Sequence, residues 1–247
     1  MLTLKGRTCV FAGGTGIVGR GAVLAMAAGG MNVVLGTHNV ESAEAIIKEA
    51  EGLPGRVVYG SKEKPYFQEA ENIVKEFGSI DVLISNTGAF DAPLPFDEIT
   101  EEDLAKKLTH QISGAFGMVK RYLPYLRQSK AGRIILNASA GAQDGFDGEN
   151  LVDSVARGGV ISLTYALARQ LAGEGITVNC IAKSGIVNDH APRSPKNFDV
   201  ATVADRIPVG VVGTTENYGA LVSYIVSEEA NFITGQVFNL SGGLHIG

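Results

Sequence analysis

Seven short apolar segments alternate along the chain with longer segments of helical periodicity. The apolar segments are 8–12, 32–35, 56–59, 82–86, 133–137, 177–181 and 237–240, and the helical ones are 18–28, 40–51, 64–77, 101–129, 151–172 and 216–227. Strands that are apolar throughout are typical of a parallel sheet that is buried on both faces. Helices between such strands form right-handed crossovers. The sequence therefore predicts an α/β fold, a doubly wound parallel sheet within three αβα layers.

Composition limits the kinds of partner that the chain can have. The 247 residues suit a single domain, 1–247, with 45% hydrophobic and 19% charged residues. A net charge of −5 argues against nucleic acid as a partner. No apolar run approaches the roughly 20 residues that a membrane span needs.

The cysteines and the first residues suggest a cellular location. Cys9 and Cys180 lie inside predicted strands, which suggests buried, reduced thiols rather than a disulfide scaffold. The chain enters its first strand without the features of a signal peptide. We therefore expect a cytoplasmic protein.

A glycine-rich turn follows the first predicted strand. The segment is FAGGTGIVGR (11–20). Its residues Gly13, Gly16 and Gly19 have the spacing at which a strand-to-helix turn brings backbone N–H groups against a pyrophosphate. Glycine triplets also occur in turns that need them for backbone reasons alone. The position after the first strand of a long αβ alternation favours a dinucleotide site of the Rossmann type. The residues expected to contact the dinucleotide here are Gly13, Thr15, Gly16, Ile17, Val18 and Gly19.

The end of the second strand bears on the choice of cofactor. It offers Thr37, His38 and Asn39 but no carboxylate to accept hydrogen bonds from a ribose diol, which weakens the case for NAD. The same side chains suit a 2′-phosphate, although no arginine is present to pair with it. NADP is therefore favoured over NAD. His38 is equally well interpreted as a solvated loop histidine.

Several later segments, in order, match those of one enzyme family. The chain resembles the short-chain dehydrogenases/reductases in five segments: 77–88, 132–139, 157–164, 175–182 and 233–243. Three residues occupy positions of that family's sequence motifs: Asn86, Gly88 and Ser139. The resemblance covers nearly the whole chain. It implies an NAD(P)-dependent oxidoreductase that acts on a small carbonyl or alcohol. It also implies homo-oligomers, dimers or tetramers, formed through the two long helices and the last strand.

The resemblance implies less about catalysis, because the usual proton-transfer residues are replaced. Alignment places Asp153 at the family's tyrosine, Arg157 at its lysine and Gln111 at its asparagine, and no Tyr-x-x-x-Lys occurs in the chain. Lys183 replaces a proline at the cofactor edge. Asn188 falls where a threonine would contact the carboxamide. Arg157 is expected to keep a contact with the cofactor ribose.

Two interpretations of the replaced pair remain open. Asp153 and Arg157 are four residues apart, so they form either an ordinary ion pair on a helix surface or an altered catalytic pair facing the pocket. Arginine favours the charged carboxylate, so we expect Asp153 to be a poor general acid. Lys183 is either the missing cation or proton donor, or a solvated lysine.

Other acid and loop candidates are weaker. His110 and His190 are further candidate acids. Segment 141–149 is interpreted as a mobile substrate loop whose acids face water rather than a metal, and 183–200 as a lid.

Three functions follow from these residues. The first is an NAD(P)-dependent oxidoreductase in which Ser139 orients a substrate carbonyl. The second is a catalytically degenerate dinucleotide sensor or oligomer partner. The third is a non-redox dehydratase or isomerase with Asp153 as its base.

Overall fold

The computed structural model describes residues 2–16, 18–59, 70–86, 88, 94–145, 151–187 and 204–247. In this part of the chain the strands form one parallel sheet in the order β3-β2-β1-β4-β5-β6-β7. The strands are β1 (Thr8–Ala12), β2 (Asn32–Gly36), β3 (Val57–Tyr59), β4 (Val82–Ser85), β5 (Arg133–Ser139), β6 (Thr177–Lys183) and β7 (Val237–Leu240). The predicted doubly wound parallel sheet is confirmed.

Helices cover both faces of this sheet. They are α1 (Gly19–Ala28), α2 (Val40–Glu49), α3 (Ala70–Phe77), α4 (Glu101–Leu108), α5 (Gly114–Leu126), α6 (Gly141–Asp144), α7 (Leu151–Leu171) and α8 (Thr215–Val226). None of the helices among the described residues is long and apolar enough to span a membrane.

Alternate positions along each strand supply two separate cores, because successive side chains point to opposite faces of a sheet. Phe11 of β1 packs with Tyr218 on the face covered by α1, α2 and α8. Val10 and Leu83 pack with Tyr122 on the face covered by α3, α5 and α7. Both cysteines are buried and free. Most strands are largely apolar because they contribute side chains to both cores.

Two strands continue beyond their predicted ends. We expected β5 to end at residue 137 and β6 at 181, but they run to Ser139 and Lys183, which are paired in the β5–β6 register. The final residues of both strands are small or polar, so the apolar pattern stops before the backbone pairing does. This pairing brings two candidate site residues side by side.

The helical stretch predicted over 101–129 is present over 101–126 but contains an unpredicted π-helical turn. The turn, Thr109–Ser113, lies between α4 and α5, and α5 ends at Leu126. Such a turn adds a residue without ending the helix. Of the predicted helix 64–77, only Ala70–Phe77 lies within the described residues. Most other ends differ from prediction by one or two residues, which is within the scatter of helix assignment.

Helices α1 and α8 touch through their backbones. A Cβ atom added to Gly21 of α1 would lie 2.1 Å from the carbonyl oxygen of Thr215, and one added to Gly219 of α8 would lie 2.5 Å from the carbonyl oxygen of Gly21. Real Cβ atoms do not approach backbone this closely. The contact therefore requires glycine on both helices.

We expect Gly21→Ala to lower the free energy of unfolding by about 2 kcal/mol, because the two helices must separate to admit the methyl group. Urea unfolding followed by circular dichroism measures the change. Gly117→Ala on α5 is the matched control, since a Cβ atom there meets nothing within 4 Å. That control should be neutral or more stable by up to about 1 kcal/mol, because alanine favours helix. A Gly21→Ala protein as stable as the wild type would show that the contact is not tight.

Candidate active site

The glycine-rich turn joins β1 to α1 in a conformation that requires glycine. Gly13 has a φ of 78°, and its N–H donates to the Gly36 carbonyl at 2.8 Å. A Cβ atom on Gly19 would lie 2.0 Å from the carbonyl oxygen of Gly14. A Cβ atom on Gly16 would lie 3.2 Å from the Gly13 carbonyl oxygen. The turn thus brings backbone close to the sheet edge and leaves no room for a side chain at Gly19.

Helix α1 begins without a capping side chain. Its N-cap, Val18, makes no side-chain hydrogen bond, and its first turn holds no acidic residue. By contrast α2, α4 and α8 are capped by the side chains of Asn39, Thr100 and Thr214. A helix start has N–H groups that need acceptors and a partial positive charge. The start of α1 therefore suits an anion.

The predicted adenosine end of the site lies beside this turn. The hydroxyl oxygens of Thr15 and Thr37 are 2.6 Å apart, which connects the turn to the end of β2. The N–H of Asn39 donates to the Thr37 hydroxyl at 3.0 Å. His38 is exposed at the same end. Tyr59, at the end of β3, places its hydroxyl 3.4 Å from Glu44.

A second group of polar side chains lies under the glycine turn. Asn86, just after β4, donates from its side-chain amide to the Gly13 carbonyl at 3.3 Å. The Lys183 ammonium donates to Asn86 Oδ1 at 2.9 Å and to Asn137 Oδ1 at 3.2 Å. The hydroxyl of buried Tyr218 donates to Asn137 Oδ1 at 2.9 Å. We call Asn86, Asn137, Lys183 and Tyr218 the edge cluster.

The environment of Lys183 favours its neutral form. Burial, and to a lesser extent the positive charge of Arg157, lower the pKa of the amine to about 7. The amine lies 5.9 Å from the centre of the Tyr218 ring. Lys183 is therefore a packed side chain of the sheet edge and not a solvated loop lysine.

The replaced catalytic residues form a third group, buried between α4 and α7. Asp153 Oδ1 accepts from Gln111 Nε2 at 2.8 Å, lies 2.9 Å from Lys107 Nζ, and is 3.6 Å from Arg157 Nε. The side chains of Lys107, Asp153 and Arg157 are 7%, 3% and 4% exposed. Asp153 and Arg157 are thus not the surface ion pair of the first interpretation. We call these four residues the ionic cluster.

The π-helical turn positions Gln111 for this contact. It widens the helix around Gln111, whose side chain is buried against α7. Gly88, with a φ of 118°, packs on Gln111, since a Cβ atom there would lie 3.3 Å from the Gln111 side chain. π-Helical turns are frequent at functional sites. Burial lowers the pKa of Arg157, although Asp153 opposes the shift.

The structure brings most of the predicted site residues together. One group lies at the carboxyl edge of the sheet and consists of the glycine turn, Thr15, Thr37, Asn86, Ser139 and Lys183. The other is the ionic cluster, in which Gln111, Asp153 and Arg157 meet. His110 is exposed on the π-helical turn. Several predicted site residues lie outside the described residues, namely Ile17, Asn188 and His190. So do two acids of the predicted substrate loop, Asp147 and Glu149, and most of the predicted lid.

The predicted loop 141–149 is partly helical. Its first residues form α6, and Asp144 contacts Nδ1 of His245 at 2.8 Å. No group of three potential metal ligands occurs in the described part of the chain.

Three members of these clusters were missed by sequence reasoning. Lys107 lies four residues before Gln111, a spacing that puts two helical residues on one face and was available as a signal. Asn137 is a polar residue inside an apolar strand, which also marks it. The sequence around Tyr218 is typical of a core residue of a helix, and no motif or spacing connects Tyr218 to Lys183.

Comparison with known proteins agrees with this architecture. Residues 13–245 match the family described as enoyl-(acyl carrier protein) reductase. The chain is 31% identical over 250 residues to the 3-oxoacyl-acyl-carrier-protein reductase FabG of Thermotoga maritima, covering 99% of this chain and 100% of that one. It is 26% identical to the enzyme of the same name from Salmonella typhimurium, covering 99% and 100%.

Solved structures show the same fold. A dehydrogenase/reductase from Sinorhizobium meliloti superposes with a TM-score of 0.85 at 24% identity, covering 99% of this chain and 97% of that one. A short-chain dehydrogenase/reductase from Serratia marcescens gives 0.83 at 22% identity, covering 98% and 99%. The chain therefore belongs to the short-chain dehydrogenase/reductase family of NAD(P)-dependent oxidoreductases.

Proposed function

We propose that this enzyme transfers hydride between a nicotinamide dinucleotide, preferably NADP(H), and a small carbonyl or alcohol substrate. The observation that carries the proposal is the uncapped start of α1 behind a turn that only glycine can make. Backbone that close, next to the positive end of a helix, is what a pyrophosphate requires.

The residues present fit the rest of the dinucleotide. The adenosine ribose would be surrounded by Thr15, Thr37, His38 and Asn39. Their hydroxyl and imidazole groups suit a 2′-phosphate better than a ribose diol. Asn86 and Gly88 would line the middle of the site. Arg157 would hold the nicotinamide ribose through its N–H groups, and Asn188 the carboxamide. Ile17 and Val18 would contact the phosphates through the turn.

The cofactor, when bound, supplies or accepts the hydride. Ser139 would donate a hydrogen bond to the substrate carbonyl oxygen, where negative charge develops during reduction. Lys183 pairs with Ser139 in the β5–β6 register, so the two side chains share one face of the sheet. The ammonium form of Lys183 can donate a proton to the alkoxide oxygen that forms as the carbonyl is reduced. We assign the proton of the reduction to Lys183.

The relatives guide the choice of substrate. Relatives that match over nearly the whole chain are named 3-oxoacyl-acyl-carrier-protein reductases. A 3-oxoacyl thioester presents a ketone that Ser139 can orient. Short 3-oxoacyl thioesters are therefore the first substrates to test.

The contacts of Asp153 argue against the dehydratase or isomerase alternative. A catalytic base must release its carboxylate to a substrate proton. Asp153 is instead buried against Lys107 and Gln111, and losing Lys107 removes a counter-ion from a buried carboxylate. Its role is better described as holding α4 against α7. No observation favours a degenerate sensor.

Three further expectations stay proposals. We infer a single domain over 1–247, a cytoplasmic location, and a homodimer or homotetramer. Exposed apolar side chains on α5 and α7, Phe116, Val155 and Tyr165, support association through these helices.

We expect Ser139→Ala to reduce turnover of a 3-oxoacyl thioester by about 10²-fold, because one donor to the developing oxyanion is lost. Loss of NADPH absorbance measures the rate. Ser162→Ala, at an exposed position of α7, should leave the rate unchanged. Wild-type protein that oxidises no reduced dinucleotide with any carbonyl substrate would refute the proposed activity.

We expect Thr37→Asp to weaken NADPH binding at least about tenfold, because the new carboxylate repels a 2′-phosphate. NADH binding should be retained or improved, since a carboxylate accepts from the ribose diol. Calorimetric titration gives both dissociation constants. Ala45→Asp adds the same charge to an exposed position of α2 and should change neither. Equal loss for both dinucleotides would mean that Thr37 does not face the 2′ position.

We expect Lys107→Met to lower the free energy of unfolding by about 3 kcal/mol, because Asp153 loses a buried counter-ion. Lys106→Met is the matched control, since Lys106 is the exposed neighbour on the same helix. It should change stability by less than about 0.5 kcal/mol. Urea unfolding of both variants measures the difference. Similar stability for the two would show that the Lys107–Asp153 pair is not structural.

A further inference from the structure

The edge cluster places a titratable amine directly beneath the glycine-rich turn, where the family has a proline. We propose that Lys183 is a cofactor-binding cation that takes up its proton as the dinucleotide binds, so that cofactor binding carries a proton into the site. This inference rests on the proposed function, because it requires a dinucleotide at the turn.

The geometry links the amine to the turn through a single side chain. Asn86 Oδ1 accepts from the Lys183 amine at 2.9 Å, while the Asn86 amide nitrogen donates to the Gly13 carbonyl at 3.3 Å. The same nitrogen is 3.7 Å from where a Cβ atom on Gly16 would lie. One amide group therefore separates Lys183 from the backbone that receives the pyrophosphate.

The groups around the amine offer hydrogen bonds but no negative charge at neutral pH. The amides of Asn86 and Asn137 face it from β4 and β5, and Tyr218 faces it from α8. Burial raises the pKa of Tyr218, and it raises the pKa of Cys180 in β6 to about 12. Arg157 of α7 adds positive charge. Among the described residues that act on the amine, only Lys183 itself titrates near pH 7.

These charges decide whether Lys183 gains or loses a proton when the dinucleotide binds. Without the dinucleotide, burial and Arg157 hold the pKa of Lys183 at about 7, so the amine is half neutral at that pH. A dinucleotide brings two negative phosphates to the turn, which favours the ammonium and raises its pKa. Protons are then taken up on binding between the two pKa values, and affinity falls as the pH rises through this range.

The magnitudes are measurable. We expect uptake of about half a proton at pH 7 and most of one at pH 8, and about tenfold weaker binding at pH 8 than at pH 6, for an amine that stays protonated over this range once the dinucleotide is bound. NADH is the probe, because it lacks the 2′-phosphate. Its use keeps the titration of that phosphate out of the result.

The experiment is calorimetric titration of the full chain with NADH at pH 6, 7 and 8, each in two buffers of different ionisation enthalpy. The dependence of the apparent binding enthalpy on the buffer gives the number of protons taken up. It needs no substrate. Wild-type protein should show uptake that grows from pH 6 to pH 8.

Two variants and one control assign the proton. Lys183→Arg keeps the positive charge without titrating, so it should bind NADH with no proton uptake and little pH dependence. Lys183→Gln should bind more weakly than wild type at pH 6, also without uptake. Lys130→Gln removes an exposed charge from the loop before β5, at the opposite edge of the sheet, and should behave as wild type. Thermal unfolding of each variant confirms that it is folded.

The outcomes separate this inference from the proposed function. Binding of NADH with no proton uptake by the wild-type protein would overturn the inference and leave the proposed function standing. Uptake that persists in folded Lys183→Gln would also overturn it, because another group would carry the proton. Failure of NADH, NAD, NADPH and NADP alike to bind would overturn the proposed function itself.

Discussion

The parallel pairing of β1 with β4 is the constraint on which the rest of the site depends. These strands are adjacent in the sheet although three helical crossovers separate them in sequence. The chain leaves β1 toward one side of the sheet and β4 toward the other, so a crevice opens between their carboxyl ends, where such sheets bind ligands. Asn86 bridges this crevice by bonding to the backbone of Ala12 and Gly13. The glycine turn, the edge cluster and Ser139 all lie along the same edge.

Most of the fold was predictable because burial on both faces leaves a continuous apolar run for each strand. The glycine turn was also predictable, since its backbone conformation admits no other residue at Gly13 and Gly19. The partners of Lys183 were not. The amine reaches Asn137 and Asn86 on two other strands, and sequence separation carries no information about how strands are ordered in a sheet. The π-helical turn was not predicted for a different reason, which is that it does not end the helix in which it lies.

The ionic cluster shows why the replaced catalytic residues have to be considered as a set. A carboxylate in a buried position is strongly unfavourable without charged or hydrogen-bonding partners. Asp153 has Lys107, Gln111 and Arg157 around it, contributed by two helices and the turn between α4 and α5. None of these contacts would be needed by a tyrosine at the same place. The altered pair is thus part of a rebuilt interface, and substituting the family's tyrosine and lysine alone would leave Lys107 buried opposite a neutral group.

The glycine contact between α1 and α8 has a consequence for biosynthesis. Gly21 emerges from the ribosome nearly 200 residues before Gly219. Until α8 arrives, the side of α1 that packs on it has no cover, although α2 and β1 to β6 have already been made. The nascent enzyme therefore exposes part of one core for most of its synthesis, a state in which chaperones that hold apolar surface are useful. The last helix and β7, which follows it, then complete that face of the sheet.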